Sequence, residues 1–250
     1  MDRMLYIAMT GAGQITRAQG VNSNNLANAS TTGFRADLES FTTQAVNGPG
    51  HDSRAYAVSE GQGVDLSTGT INSTGNPLDI AVNGEGWIAV QAPDGSEAYT
   101  RAGNLQVNEL GQLLTGDRLQ VLGNDGPIAI PPFENMDIGS DGTITVRPVG
   151  QTANTLSNVN RIRLVNPDPA TLYKGQDGLM RVDAAATPEN AVVADASVSV
   201  VSGALESSNV NPIESLVTMI SLARQFEMHV KLMDTARQND AASAELMQIA

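Results

Sequence analysis

The stretch Asn211-Pro212-Ile213-Glu214-Ser215-Leu216-Val217-Thr218-Met219-Ile220 opens the segment that decides the architecture. Asn211 can cap the first free amides of a helix, Pro212 suits the first helical position, and Glu214 stands three residues past the cap to complete a capping box. From there Leu216, Met219, Ala223, Phe226, Val230 and Met233 recur at steps of three and four, with Ile220 beside them. Charged residues such as Arg224, Glu227, Lys231 and Asp234 occupy the rest of the surface, the pattern of an amphipathic helix. Run to about Asn239, it predicts a helix roughly 40 Å long at 1.5 Å per residue. That is more than one face of a small domain covers, so the segment demands a partner.

Working outward, the other end of the chain supplies a second helix of similar length. Met4, Ala8, Gly11, Ile15 and Ala18 repeat the spacing, flanked by Leu5 and Ala12, and the pattern continues in polar form through Asn22 and Asn25. Small residues at Ala8, Gly11, Ala12 and Ala18 permit close helix contact, and asparagine at a seam position fixes register at some cost in stability. The expectation is a terminal coiled-coil pair, each seam uncovered until subunits meet.

Between the helices the period changes from helical to alternating. Leu78 to Val82, Gly86 to Val90, Tyr99 to Arg101, Leu105 to Val107 and Thr143 to Val146 read as short strands, with more at Arg161 to Val165, Leu179 to Val182 and Ser197 to Ser202. The pairs Asn83-Gly84, Asp94-Gly95, Asp125-Gly126, Asp141-Gly142 and Asp177-Gly178 suit tight hairpin turns. Asn47-Gly48-Pro49-Gly50 reads as an exposed loop, and Gly33, after Asn24 to Thr32, is where the chain turns out of the first helix. The fold class is mainly β with long terminal α-helices. The expected division is residues 1–34, an N-terminal axial helix; 35–75, a connecting segment; 76–202, a β-rich body of hairpins; and 203–250, a C-terminal axial helix.

Composition excludes several classes of function. A formal charge of -13 with fourteen dispersed basic residues does not supply the cationic surface that phosphates demand, which argues against nucleic acid and anionic membranes. With no cysteine there is neither a disulfide framework nor a thiolate metal site. Gly11, Gln14 and Arg17 interrupt the N-terminal apolar run early, so no cleaved signal is expected, and no apolar run reaches membrane-spanning length.

Catalytic sets are thin. The two histidines, His51 in a Gly/Pro loop and His229 on the long helix, read as solvated, and Asp137 to Asp141 matches a calcium loop only loosely. Asp79, Glu85 and Asp94 offer a carboxylate pair of the kind glycosidases use, without a spacing that makes it a motif. Trp87, Tyr99 and Arg101 read as parts of the core or of a hairpin. No enzyme, cofactor or metal is expected.

Asn24-Asn25-Leu26-Ala27-Asn28 followed by Thr32-Gly33-Phe34-Arg35 resembles the N-terminal signature of the axial proteins of the bacterial flagellum, rod and hook. Ser202-Gly203-Ala204-Leu205-Glu206, Ser208-Asn209-Val210-Asn211, Met219-Ile220 and Arg224-Gln225-Phe226-Glu227 resemble the C-terminal one. Gly84-Glu85-Gly86-Trp87 and Tyr99-Thr100-Arg101-Ala102-Gly103-Asn104 extend the likeness through the middle. Met1-Asp2-Arg3, Leu5-Tyr6 and Ala8-Met9, with Phe226-Glu227, resemble the proximal-rod branch most, the distal-rod branch being the competitor. One departure is Gly116-Asp117-Arg118 before Leu119-Gln120-Val121-Leu122-Gly123, where relatives carry Asp-Gly.

The resemblance implies a structural subunit of the periplasmic drive shaft, exported by the flagellar type III apparatus without signal cleavage. Its implied partners are copies of itself, other rod proteins and ring proteins. The assembly interface would then comprise Leu216, Met219, Ile220, Ala223, Phe226, Val230 and Met233 on one helix and Met4, Ala8, Gly11, Ile15 and Ala18 on the other. Asn22, Asn25, Leu26, Asn28, Gly33 and Phe34 would set register and turn the chain into the body. The rival reading is a β-rich extracellular adhesin or carbohydrate-active enzyme with helical tails.

Overall fold

The computed structural model describes residues 3–45, 55–150, 156–183 and 192–249, so His51 and the loop at 47–50 lie outside the described residues. The chain is mixed: an N-terminal helix, a β-rich body and a C-terminal helix. It divides into two compact units, one made of residues 1–28, 37–65 and 210–250, the other of 29–36 and 66–209.

In the first unit, α1 spans Arg3–Ala27 and α2 spans Pro212–Ile249. At 1.5 Å per residue they are about 37 and 57 Å long. The second exceeds the length read from periodicity because no glycine or further proline follows Pro212, and Ala241, Ala242, Ala244 and Glu245 favour helix after the apolar spacing fades. Its start follows the capping rule: Asn211 Oδ1 accepts from the amides of Ile213 at 3.1 Å and Glu214 at 3.4 Å. The unit is completed by an antiparallel ribbon, Asp37–Ala45 against Ala55–Val64, with an irregularity between Glu39 and Phe41. Both strands pack on α1.

The second unit is antiparallel throughout. Its main sheet runs in the order Leu172–Lys174, Met180–Val182, Glu97–Thr100, Trp87–Gln91, Gln120–Gly123, Leu113–Thr115, Leu105–Val107. Gly126–Pro127 pairs with Gln120–Gly123 and Leu164–Val165 with Trp87–Gln91. A three-stranded sheet of Phe133–Ile138, Thr143–Pro148 and Ser157–Arg161 adds a second layer of apolar side chains. Ile80, Ile88, Val90, Leu113, Val121, Ile144, Val146 and Ile162 form one continuous core. Branched residues fit there because each strand's buried face presents them at period two.

Two late strands return to early ones. Ser199–Ser202 pairs with Ile80–Asn83, and Ala204–Glu206 with Ile71–Ser73, so the end of the body closes on its beginning. Four of the anticipated hairpin turns are present, with glycines 95, 126, 142 and 178 at positive φ; Gly84 also takes positive φ, but it joins Ile80–Asn83 to Trp87–Gln91, which do not pair with each other. In the departing turn it is Arg118, not a glycine, that takes positive φ, 63°, and its amide donates to the Thr115 carbonyl at 2.9 Å.

Candidate functional site

The first unit is built from helix contact. On α1, Ala8, Ala12, Ile15 and Ala18 are buried and Leu5, Gly11, Asn22, Asn25 and Leu26 half-buried, while Met4 is exposed. The small-residue stripe therefore finds cover within a single copy of the chain, which corrects the expectation that it waits for a neighbour. Asn22 Nδ2 donates to the Ser215 carbonyl of α2 at 2.7 Å. Asn25 makes a reciprocal pair with the backbone of Asp37 at 2.8 and 2.9 Å, and Asn28 bonds back to the Asn24 carbonyl. Asn22 and Asn25 thus tie α1 to the first turn of α2 and to the start of the ribbon, while Asn28 adds a second donor to a carbonyl that its own amide already bonds.

On α2 the covered positions are Ser215, Met219, Leu222, Ala223, His229, Met233 and Ala236. Met219, Ala223 and Met233 belong to the anticipated stripe. Leu216, Ile220 and Val230 do not face inward; they are 49 %, 56 % and 45 % exposed, and Phe226 sits at the margin at 37 %. The inward face is offset because α1 presents alanine and glycine, and small or polar side chains fit against those as well as large ones. His229 corrects the solvated reading. It is half-buried, its Nδ1 is buried without a hydrogen-bond partner, and its ring lies against Gly11.

The offset leaves a second apolar face on α2. Ile213, Leu216, Val217, Ile220 and Met228 are exposed, and Val217, Ile220, Ser221, Arg224, Gln225 and Met228 share one shallow surface. An isolated exposed leucine needs no explanation, but a contiguous apolar helical face is unusual on a surface facing water.

The second unit contains an anchor that the sequence did not disclose. Glu206 is buried and accepts from Arg35 Nη2 at 2.6 Å and from the Gly69 amide at 2.8 Å through one oxygen, and from Arg101 Nη1 at 3.1 Å through the other. Both guanidiniums lie over Trp87, 5.8 and 5.2 Å from the ring centroid. Burial pulls Arg101 below its usual value, Glu206 opposes that, and Arg35 adds to it. The anchor gathers Arg35 from the N-terminal signature, Trp87 and Arg101 from the middle, and Glu206 from the C-terminal one. No periodicity links residues so far apart; the only hint was charged residues inside otherwise apolar or glycine-rich motifs.

Gly33 belongs to the same assembly. It takes φ 67°, its amide donates to the Glu206 carbonyl at 2.9 Å, and a Cβ there would lie 2.3 Å from the Arg101 carbonyl carbon. Phe34 stacks under Lys174, whose Nζ is 4.0 Å from the ring centroid and donates to the Arg35 carbonyl at 2.9 Å. Asn209 fastens the strand that follows: its Oδ1 accepts from the Ala36 amide at 2.8 Å.

The carboxylates weighed for chemistry are occupied locally or face solvent. Asp79 accepts from Thr74 and Asn76 at 2.6 and 3.1 Å, Glu85 is exposed, and Asp94 accepts from Ser96. Asp141 gives both oxygens to Thr143. Tyr99 is buried, donates to Glu97 at 3.1 Å, and burial followed by the Glu97 charge pushes its hydroxyl up.

Comparison with known proteins places these features. Residues 5–35 match the family described as flagella basal body rod protein. Residues 81–146 match the flagellar hook protein FlgE/F/G D1 domain, and residues 201–246 the flagellar basal body rod FlgEFG protein C-terminal family. The flagellar basal-body rod proteins FlgF of Salmonella typhimurium strain LT2 and Escherichia coli strain K12 are each 39 % identical over 251 residues, covering 100 % of both chains. A rod protein FlgG of Buchnera aphidicola from Schizaphis graminum is 33 % identical, covering 94 % of this chain and 95 % of its own. With helices at both ends, a closed β body and likeness along its whole length, the chain belongs to the FlgF family of flagellar basal-body rod proteins and is a structural subunit of the rod.

Proposed function

We propose that this subunit sits in the proximal part of the rod and joins it through the terminal helices acting as a coiled-coil stalk. The observation that carries the reading is the exposed apolar face of α2, Ile213, Leu216, Val217 and Ile220, in a chain whose β body has a closed core of its own. Contacts between that face and a different surface on the next copy are heterologous, and when they fail to close a ring they generate a helical shaft. Burial there contributes about 25 cal/mol per Å² of apolar surface. Leu216, Ile220, Phe226 and Val230 serve as the outward C-terminal interface, while Met219, Ala223 and Met233, with Ala8, Gly11, Ile15 and Ala18 of α1, hold the helix pair together and Met4 stays exposed.

The partners are copies of this chain, adjoining rod proteins and, around the shaft, ring proteins; the chain itself carries out no catalysis. Passage through the flagellar type III apparatus to the periplasm, without signal cleavage, agrees with a chain that has no disulfide to form and no helix among the described residues long and apolar enough to cross a membrane. The 39 % identity to the Salmonella and Escherichia FlgF proteins, against 33 % to the FlgG relative, supports the proximal position. The test is Ile220→Asp in an otherwise normal cell. Soluble, folded protein that is missing from isolated basal bodies, with loss of swimming, supports the reading; normal rods from this variant overturn it. Crosslinking to adjoining subunits then distinguishes proximal from distal.

A further inference from the structure

Gly11 stands in the middle of α1, where glycine weakens a helix relative to alanine. Its position is explained by what faces it. A Cβ built there would lie 2.4 Å from Cε1, 2.9 Å from Nδ1 and 3.0 Å from Nε2 of His229, so its three nearest neighbours all belong to one imidazole ring. The same test at Gly13 and Gly20 of α1 meets nothing within 4 Å. Of these glycines on α1, Gly11 alone forms a hole, and one side chain fills it.

We propose that His229 seated on Gly11 is the register key of the helix pair: a positioning pair that fixes how far α2 slides along α1, and hence at what height along the pair its outward face is presented. The alanines around it do not set register well, since Ala8 and Ala12 present nearly equivalent small surfaces one turn apart. A rigid aromatic ring in a unique gap does. With Asn22 bonded to the Ser215 carbonyl, the helix pair is pinned at two places, and the two pins define an antiparallel alignment. His229 Nδ1 is buried without a hydrogen-bond partner, so the ring is held by steric fit against Gly11. Sliding α2 by one turn would withdraw the ring from the gap and carry Ile220 and its neighbours out of line.

The experiment exploits the absence of cysteine in the chain. In the full-length protein, Asn22→Cys with Ser215→Cys reports register by disulfide formation under mild oxidation, and Trp87 fluorescence, from the only tryptophan, checks that the body is folded. Gly11→Ala raises helix propensity, so any loss it causes comes from the clash. We expect crosslink yield to fall at least tenfold in Gly11→Ala and to return when His229→Ala is added, with the body signal unchanged in both. Wild-type crosslinking in Gly11→Ala, or failure of His229→Ala to restore it, overturns the proposal.

A second arm without the cysteines scores rod incorporation, and it rests on the reading of α2 as an assembly face. Loss in Gly11→Ala and recovery in the double variant supports both. Recovery of the crosslink without recovery of incorporation keeps the register key and overturns its link to assembly.

Discussion

The body and the helix unit solve the same problem in opposite ways. In the body, Ile80, Ile88, Leu113 and Ile144 are fully buried, and the last strands fold back on the first, so its apolar surface is satisfied within one copy. In the helix unit, α2 covers α1 with one face and leaves Ile213, Val217 and Ile220 open on another. A closed core makes a unit that folds alone. A helix apolar on two faces makes a unit that folds and still has something to bind with, and the two require different kinds of residue: branched side chains at period two in one, alanine, glycine and asparagine at a helix crossing in the other.

The sharpest way to break that contrast is Glu206→Gln. Removing the charge leaves Arg35 and Arg101 buried without a counter-ion, and breaking a buried pair of this kind costs about 3–5 kcal/mol. The urea midpoint read from Trp87 should fall accordingly, and an unchanged midpoint would mean that the anchor does not hold the body. A smaller effect confined to the other unit is expected from Asn211→Ala, which strips the cap from α2 at a cost of about 1 kcal/mol; helix circular dichroism should register it while Trp87 does not.

Acid probes the body's turns in a third way. Hydrogen bonds from Ser96, Thr143 and Ser197 hold Asp94, Asp141 and Asp195 below the usual carboxylate value. Their folded-state values being depressed, they stabilise the body above the unfolded carboxylate value of about 3.9, and that stabilisation is lost as the pH falls through the folded values. Asp141→Asn keeps an acceptor for the Thr143 amide and should flatten part of the acid limb in a pH series of urea melts. Last in size is Ile220→Asp, expected to move stability by no more than about 0.5 kcal/mol while abolishing incorporation; a large loss of stability instead would place Ile220 in the unit's own core.

Much of this was readable from residues in a row. Asn211, Pro212 and four of the five Asx-Gly pairs act on their immediate neighbours, so their consequences were local and came out as expected; Asn83-Gly84 turns the chain but joins strands that find other partners. The inward face of α2 was not readable in full. Periodicity ranks faces by their own hydrophobicity and favoured Leu216, Ile220 and Val230, but the contact is chosen by α1, whose Gly11 accepts His229 and whose Asn22 reaches the Ser215 carbonyl. The anchor was hidden for a related reason: Arg35 and Glu206 are 171 positions apart, and no pattern in either segment names the other.

That separation has a consequence for how a subunit is made. Arg35, Trp87 and Arg101 are made early and Glu206 late, so a product cut short anywhere between Arg101 and Glu206 keeps two arginines and an indole without the carboxylate that pairs with them. Such a fragment cannot pass for a finished part, and a proteolytic sentinel would meet it as an open chain. Only a molecule complete to its last strands can fasten its own clasp.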